Sequence, residues 1–320
     1  MPCGKACGIS CVSDGEYALI EPCSACTGKS LTPVRWASGN PAKSTEPVDK
    51  LINTSMADIV SLRNSAVSWG LLPGHRDYVR FVILGRSRTG SNLLRGLLQS
   101  RHDVTVHGEI FKNPEAVEWG TDRFPAARRT LLRYRTDPAR FLESDVFRRV
   151  PLAIKALGFK LFYYHAQQHP GKLVWDYLRT HREIRVIHIK RHNILRTHLS
   201  RIRAEQSNSW VDVEGRARPA QPVELDFADC EQVFVRTRAW EQQYDRFFSD
   251  HPLLEVIYEE LAADHHREME RIQEFLSLEL LEALPQTHKQ SSDPLREAIV
   301  NYAGLKLGFK DTPWAEFFDE

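Results

Sequence analysis

The apolar residues of the chain follow two patterns that alternate from Tyr78 onward. Short runs rich in β-branched and aromatic residues predict strands buried on both faces, and apolar residues at three- and four-residue spacing predict helices. The predicted strands are Phe81–Leu84, Val104–His107, Ala156–Phe162, Val186–Ile189 and Leu254–Tyr258. The predicted helices lie at about Ser91–Ser100, Pro125–Tyr134, Lys172–Thr180, Asn193–Glu205, Cys230–Phe248 and His265–Leu276. This alternation predicts an α/β fold with a mainly parallel central sheet flanked by helices.

The first 70 residues differ from the rest of the chain. Residues 1–50 are rich in Gly, Pro, Ser, Thr and Cys with little periodicity, and residues 51–70 have weak helical spacing that ends near Gly70 and Pro73. We therefore predict a partly loose N-terminal extension over residues 1–70, with a candidate helix, followed by one domain over residues 71–320.

Most of the cysteines belong to this extension, with the spacings C-x3-C-x3-C and C-x2-C. They are Cys3, Cys7, Cys11, Cys23 and Cys26. Thiolates at such spacings can bind zinc or an iron–sulfur cluster. The spacing matches neither a zinc ribbon nor a ferredoxin run, however, and we favour a non-catalytic appendage of loose structure.

Charge and hydropathy exclude several classes of function. The 43 basic and 42 acidic residues give a net charge of +1, so no global basic field points to nucleic acid as a partner. The chain has no run of about 18 apolar residues, so we expect no membrane span. It also has no charged region followed by a long apolar one at its start, so we expect a cytoplasmic protein without a secretory signal.

The segment from Tyr78 to Ser91 reads Y-V-R-F-V-I-L-G-R-S-R-T-G-S and predicts a strand, a turn and the start of a helix. Gly85 and Gly90 bound the turn and let the backbone approach a ligand closely. The helix that follows presents free N–H groups and the positive end of its dipole to the same place. This arrangement predicts a phosphate-binding loop.

The residues of this loop distinguish it from the nucleotide-triphosphatase type. That type has Gly-Lys-Ser/Thr at its end, where the Lys reaches the β- and γ-phosphates and the hydroxyl holds Mg²⁺. Here Gly90 is followed by Ser91 and Asn92, and the cations are Arg86 and Arg88 inside the loop. Guanidinium groups, hydroxyls and backbone N–H groups suit an anion held without a metal. The alternative is a glycine-rich turn without a ligand, which two arginines make less favourable.

The run R-S-R-T-G-S-N-L-L resembles the 5′-phosphosulfate loop of sulfotransferases that use 3′-phosphoadenosine 5′-phosphosulfate (PAPS). It is most similar to the loop of the bacterial carbohydrate-type enzymes, such as the nodulation-factor and trehalose sulfotransferases. Further segments in the family's order extend the resemblance over residues 78 to 318. The resemblance implies a P-loop-like three-layer α/β fold, PAPS as co-substrate and no metal. It also implies that Arg88 neutralises charge on the bridging oxygen as the sulfuryl group leaves. The implied cofactor-binding residues of the loop are Arg86, Ser87, Arg88, Thr89, Gly90, Ser91 and Asn92.

A catalytic base is expected just after the second predicted strand. His107 and Glu109 follow that strand, and ligands of open α/β sheets lie beyond the carboxyl ends of strands. Transfer to an alcohol needs a group that removes the hydroxyl proton. The Gly-Glu pair followed by two apolar residues resembles the family segment that contains this base, so we place Glu109 first and His107 second. A surface glutamate and a structural histidine are the alternatives.

A second anion site is predicted where the strand ending at Ile189 gives way to a helix. Arg191 stands at this junction, and Ser200 lies nine residues later on the helix. The pair resembles the family's 3′-phosphate motif, with Thr197 as the fallback for the hydroxyl. Other arginines of this helix fit a solvated basic face equally well. A late Lys-Gln pair resembles a loop that closes over the nucleotide, which makes Lys289 a further candidate ligand of the 3′-phosphate.

These features predict an enzyme that moves a sulfuryl group from PAPS to a hydroxyl of a small-molecule or carbohydrate acceptor by in-line transfer. The alternatives are a nucleotide kinase or NTPase, and a non-catalytic nucleotide-binding module. The predicted loop at residues 207–226 could lie over the acceptor, and Trp210 and Trp240 could stack on a sugar or be packed. No sequence pattern specifies the acceptor, and a homodimer is the default expectation for the assembly.

Overall fold

A computed structural model describes residues 56–120, 127–207, 221–285 and 293–319 of the chain. Its centre is a sheet of five parallel strands, and all five predicted strands are confirmed. They are β1 (Val79–Gly85), β2 (Val104–His107), β3 (Ala156–Phe162), β4 (Arg185–Lys190) and β5 (Leu253–Ile257).

The strand order is β2-β3-β1-β4-β5, so β1 lies in the middle between β3 and β4. Gly85, the last residue of β1, is paired with Phe162, the last residue of β3. Lys190 at the end of β4 is likewise paired with Ile257 at the end of β5. Because all strands are parallel, the segments that follow β1, β3, β4 and β5 meet at one edge of the sheet.

The helices confirm the predicted alternation. The described ranges contain α1 (Met56–Ser68), α2 (Ser91–Gln99), α3 (Arg128–Thr136), α4 (Pro138–Phe141), α5 (Leu173–Thr180), α6 (Ile194–Ser207), α7 (Phe227–Phe247), α8 (Tyr258–Ala263), α9 (His265–Phe275), α10 (Leu295–Ala298) and α11 (Tyr302–Gly308). A π-helical turn over Leu142–Val146 and a 3₁₀ turn over Ala315–Phe318 complete them. The short helices α4, α8, α10 and α11 were not predicted, because one or two turns contain too few apolar positions to define a period.

Hydrophobic packing on both faces of the sheet makes the fold three-layered. On β1, Val82 and Leu84 point into a core that includes Leu178 of α5. The alternate residues Phe81 and Ile83 point into a second core with α2 and α9. Every residue of β3 is buried, as expected for a strand covered by helices on both sides.

A third apolar cluster joins the C-terminal elements to the sheet domain. It packs side chains of α6 and α7, including Leu195 and Phe234, against Phe309, Phe317 and Phe318. This cluster fixes α6 beside α7, and both helices border the edge of the sheet where the predicted loops meet.

The N-terminal predictions fall largely outside the described residues. The five clustered cysteines and the rest of residues 1–55 lie outside them, so the division into an extension and a domain stays a prediction. Within the described ranges, no helix has both the length and the apolar character needed to cross a membrane.

Candidate functional site

The loop between β1 and α2 has the backbone of an anion cradle. Gly90 is the N-cap of α2 with a φ of 84°, and no side chain caps the helix. Arg88 also has a positive φ, of 69°, which is rare for a residue with a side chain and curls the loop. A β-carbon on Gly85 would lie 2.7 Å from the carbonyl oxygen of Ile189, so glycine is required where the loop leaves the sheet. The uncapped first turn of α2 therefore presents its N–H groups at the edge of the sheet.

The two arginines of the loop point to different neighbours. Arg86 is buried and donates a hydrogen bond to the Thr237 hydroxyl of α7. Arg88 instead donates from Nε to the Ser200 hydroxyl of α6 over 2.9 Å. The Thr89 hydroxyl donates to the Arg86 carbonyl over 2.8 Å and braces the turn between them. The sequence predicted both arginines at one anion, and the structure separates their side chains.

Arg191 completes a cationic cluster with Arg88 and Ser200. Its Nη1 donates to the Arg88 carbonyl over 3.2 Å, and its guanidinium lies 4.5 Å from the centroid of the Tyr258 ring. Burial and the neighbouring charge of Arg191 lower the pKa of Arg88, and burial lowers the pKa of Arg191. Both groups keep their charge at neutral pH because arginine starts from a very high pKa. Two close, partly buried guanidinium groups are suited to a multiply charged anion.

Glu259, in the first turn of α8 after β5, contacts this cluster. Its carboxylate lies 3.5 Å from Arg191 Nε and accepts hydrogen bonds from the backbone N–H groups of His192 and Asn193 at 3.0 and 3.3 Å. These contacts fix the turn between β4 and α6. The fallback residue Thr197 is buried, and its hydroxyl has no hydrogen-bond partner among the described residues, whereas Ser200 contacts Arg88.

Glu109 and Asn92 are joined by a residue that sequence reasoning did not single out. The Lys160 ammonium group donates to Glu109 Oε1 at 3.0 Å and to Asn92 Oδ1 at 2.7 Å. Only 2% of Lys160 is exposed. Burial lowers the pKa of Lys160, and the Glu109 carboxylate opposes that effect. The signal in the sequence was a lysine at the centre of the apolar strand A-L-G-F-K-L-F, because a buried charge needs a specific partner.

Two histidines flank this carboxylate in different ways. His165 Nε2 lies 3.9 Å from Glu109 Oε2, and burial lowers the pKa of His165 to about 4. His107 packs edge-on against Trp119 with ring centroids 4.8 Å apart, and its Nε2 is enclosed without a hydrogen-bond partner among the described residues. Burial lowers the pKa of His107 to about 3, so both imidazoles are neutral at pH 7.

Tyr164 closes the other side of the loop and was also missed. The backbone N–H of Ser87 donates to the Tyr164 hydroxyl over 3.2 Å. Tyr164 follows β3 by two residues, so the parallel register of β1 and β3 brings it to the loop. Two aromatic residues after a buried strand were the signal for it, but such residues are most often part of a core.

Two of the other predicted site residues lie in the loop, and two further candidates lie outside the described residues. Ser91 and Thr89 are buried in the loop, and Ser91 is the first residue of α2. Lys289 and Trp210 lie outside the described residues. In the described part of the chain, no three His, Cys, Asp or Glu side chains form a group that could hold a metal ion.

Comparisons with known proteins identify the family of the chain. A model of the sulfotransferase family matches residues 80–282, which is more than half of the 320-residue chain. Nodulation protein H of Rhizobium meliloti is 26% identical over 245 residues, covering 75% of this chain and 94% of that protein. Nodulation protein H of Rhizobium tropici is 23% identical over 244 residues, with 75% and 92% covered.

Solved sulfotransferase structures resemble the chain more distantly. The enzyme of Alicyclobacillus acidocaldarius gives a TM-score of 0.40 at 14% identity, covering 75% of this chain and 94% of that one. Mouse sulfotransferase SULT7A1, solved in complex with PAP, gives 0.38 at 13% identity, with 77% and 86% covered. Because the family model matches more than half of the chain, including most of the sheet domain, the chain belongs to the sulfotransferase family.

Proposed function

We propose that this sulfotransferase uses PAPS as donor and a small-molecule or carbohydrate hydroxyl as acceptor. The observation that carries the proposal is the cluster of Arg88, Arg191 and Ser200, in which one arginine comes from the loop after β1 and the other from the end of β4. A donor with phosphate groups at both ends of its ribose needs anion sites on two neighbouring strands. A triphosphate held by one loop and a Mg²⁺ ion does not need the second site.

In this proposal the donor's two charged ends have separate ligands. The 5′-phosphosulfate lies at the first turn of α2, held by backbone N–H groups from Arg88 to Ser91 together with the hydroxyls and amide of the loop. Arg191 and Ser200 bind the 3′-phosphate with charge-assisted hydrogen bonds, and Lys289 stays a candidate for the same group. PAPS supplies the sulfuryl group, and these residues hold it in line with the acceptor.

Glu109 is the base in this proposal. Its carboxylate removes the proton of the acceptor hydroxyl while the hydroxyl oxygen forms its bond to sulfur, and the bond from sulfur to the phosphate oxygen breaks. Arg88 stabilises the charge that develops on that leaving oxygen. Lys160 holds Glu109 and Asn92 in fixed positions. The neutral His107 is packed against Trp119, and it stays the second candidate for the base.

The test is turnover of PAPS with a panel of sugar and phenol acceptors, comparing the natural chain with Glu109→Gln. We expect sulfated product from at least one acceptor and a loss of roughly 100-fold or more in kcat for the variant. Binding of PAP, the desulfated product, should be unchanged in the variant. Product formation at the natural rate by Glu109→Gln would move the base to His107, and no sulfated product from any acceptor would favour a non-catalytic module.

A further inference from the structure

A wall of side chains lies beside the cationic cluster of Arg88, Arg191 and Ser200, and apart from Arg86, a candidate ligand of the donor, its members have no assigned part in the transfer. It forms where α7 passes the end of β3 and the loop after β1. Its members are Arg86, Tyr164, Arg236, Thr237 and Trp240. Arg86 donates a hydrogen bond to Thr237, which joins this part of the loop to α7. The preceding residue of α7, Arg236, lies over the ring of Trp240, which in turn packs against Tyr164.

The aromatic part of the wall opens to solvent. The rings of Tyr164 and Trp240 lie 6.0 Å apart at an angle of 49°, and 42% of Tyr164 is exposed. The Tyr164 hydroxyl is fixed by the N–H of Ser87, so the surface adjoins the phosphosulfate loop directly. Tyr164 is exposed and Trp240 is half-buried, and such rings present flat apolar faces with polar edges, which suit a sugar ring.

Within the described ranges, no ion pair neutralises the cationic part of the wall. Arg236 is exposed, and its guanidinium lies 5.3 Å from the centroid of the Trp240 ring. Arg86 is 4% exposed, donates to Thr237, and has its Nε enclosed without a partner. Among the described residues, neither arginine has a carboxylate within ion-pair distance.

An anion at this wall would relieve an unfavourable charge distribution. Burial lowers the pKa of Arg86, and the charges of Arg201 and Arg236 lower it further. The carboxylates on the facing sides of α6 and α7 have other partners: Glu205 pairs with Arg201 at 2.7 Å, and Asp229 lies 3.2 Å from His198. A buried guanidinium without a counter-charge is costly, so a ligand anion would be stabilised there.

The wall also lies within reach of the proposed base. The ring centroid of Tyr164 lies 5.1 Å from that of His165, and His165 Nε2 lies 3.9 Å from Glu109 Oε2. A ring lying on Tyr164 and Trp240 could therefore direct a hydroxyl toward Glu109 and a charged substituent toward Arg236.

We propose that this wall is the acceptor subsite and selects an acidic carbohydrate, whose ring stacks on Trp240 and Tyr164 and whose anionic substituent faces Arg236 and Arg86. The inference rests on the proposed function and adds a substrate class to it. Arg236 is the specificity-determining residue, because it is the exposed cation of the wall.

The test compares two oligosaccharide probes on the full chain saturated with PAP. Chitotetraose is neutral, and a hyaluronan tetrasaccharide has uronate carboxylates on rings of similar size. Calorimetry should show that the uronate probe binds roughly tenfold more tightly at low salt, and that this preference shrinks as salt screens the charges. Arg236→Gln should weaken binding of the uronate probe roughly fivefold and leave chitotetraose unchanged. The matched control is Arg246→Gln, which removes another exposed arginine of α7 and should keep the preference.

Equal binding of the two probes, binding of neither, or a preference that survives Arg236→Gln would overturn the subsite. The PAP titration in the same experiment separates this failure from a wrong function. If the chain binds PAP but does not prefer the uronate probe, only the acceptor subsite is contradicted. If the chain does not bind PAP, the proposed donor is contradicted as well.

Discussion

The ammonium group of Lys160 lies 3.0 Å from Glu109 Oε1 and 2.7 Å from Asn92 Oδ1. Lys160 belongs to β3, Glu109 follows β2, and Asn92 is in the first turn of α2. One buried cation therefore joins three elements at the edge of the sheet. Removing a buried charge from its partners is costly, so this contact fixes the carboxylate relative to the phosphate loop.

Replacing Lys160 with Met should lower kcat roughly 100-fold while the Kd for PAP changes less than about threefold, since Lys160 contacts the proposed base Glu109 directly and reaches the nucleotide site only through Asn92. Initial rates at saturating PAPS measure the first quantity, and calorimetry measures the second. In the double variant with Glu109→Gln, the loss should be no greater than for Glu109→Gln alone, because one residue acts through the other.

The control for this series is Lys310→Met, which removes an exposed lysine that follows α11. It should leave both quantities unchanged. Fully additive losses in the Lys160 and Glu109 double variant would show that the lysine acts independently of the carboxylate.

The two arginines of the cationic cluster, Arg88 and Arg191, should affect different quantities, the rate of transfer and the binding of PAP. Arg191→Ala should weaken PAP binding by roughly 100-fold, the equivalent of about 2–3 kcal/mol for a lost charge-assisted contact. Arg88→Ala should abolish measurable transfer, because its charge is needed most when the leaving oxygen becomes negative. Titration and steady-state rates on both variants measure this. The exposed Arg179→Ala on α5 serves as control, and equal effects of the two cluster variants on binding and rate would contradict the division of roles.

Gly90 is required by its backbone and by its neighbour. A β-carbon there would lie 2.2 Å from the Tyr258 ring, and its φ of 84° is unfavourable for alanine. Gly90→Ala should lower the free energy of unfolding by about 1–3 kcal/mol and also weaken PAP binding. Urea unfolding measures the first effect.

The comparison for Gly90 is Gly304→Ala in α11, where nothing lies within 4 Å of the added methyl group. That change should raise the free energy of unfolding by up to about 1 kcal/mol, because alanine favours helix. If the two substitutions had the same effect on stability, the strain at Gly90 would be refuted.

The chain should lose stability on acidification through His165. The unfolded state takes up a proton near the ordinary pKa of 6.5, whereas burial keeps the pKa in the folded state at about 4. Between these values the unfolded state binds more protons, so the free energy of unfolding falls as the pH drops, by at most about 1.4 kcal/mol per pH unit for this group. His165→Asn should reduce that slope between pH 6.5 and 4 in urea unfolding. An unchanged slope would mean that His165 titrates alike in both states.

The sheet and its order of elements could be predicted from the sequence because each strand is a short apolar run between helical patterns. The turn between β1 and α2 was also predictable, since Gly85, Gly90 and the start of α2 are adjacent in the sequence. Arg191 could be placed for the same reason, at a visible junction of strand and helix. These features depend on local spacing alone.

Contacts between distant segments could not be predicted in this way. Lys160 is 51 residues from Glu109, and only the pairing of β2 with β3 brings the two together. The divergence of Arg86 and Arg88 depends on the positive φ of Arg88, which no residue pattern specifies. The same holds for the wall around Trp240, which requires α7 to pack beside the loop.

The proposed donor is tested most directly by calorimetric titration of the full chain with PAP in the presence of a chelator, and separately with ATP and Mg²⁺. The cationic cluster of Arg88, Arg191 and Ser200 predicts that PAP binds without metal at a micromolar Kd or tighter, and that ATP with Mg²⁺ binds weakly or not at all. If only ATP with Mg²⁺ bound, the assignment of PAPS as donor would be contradicted, and the loop would have to be that of a kinase or NTPase.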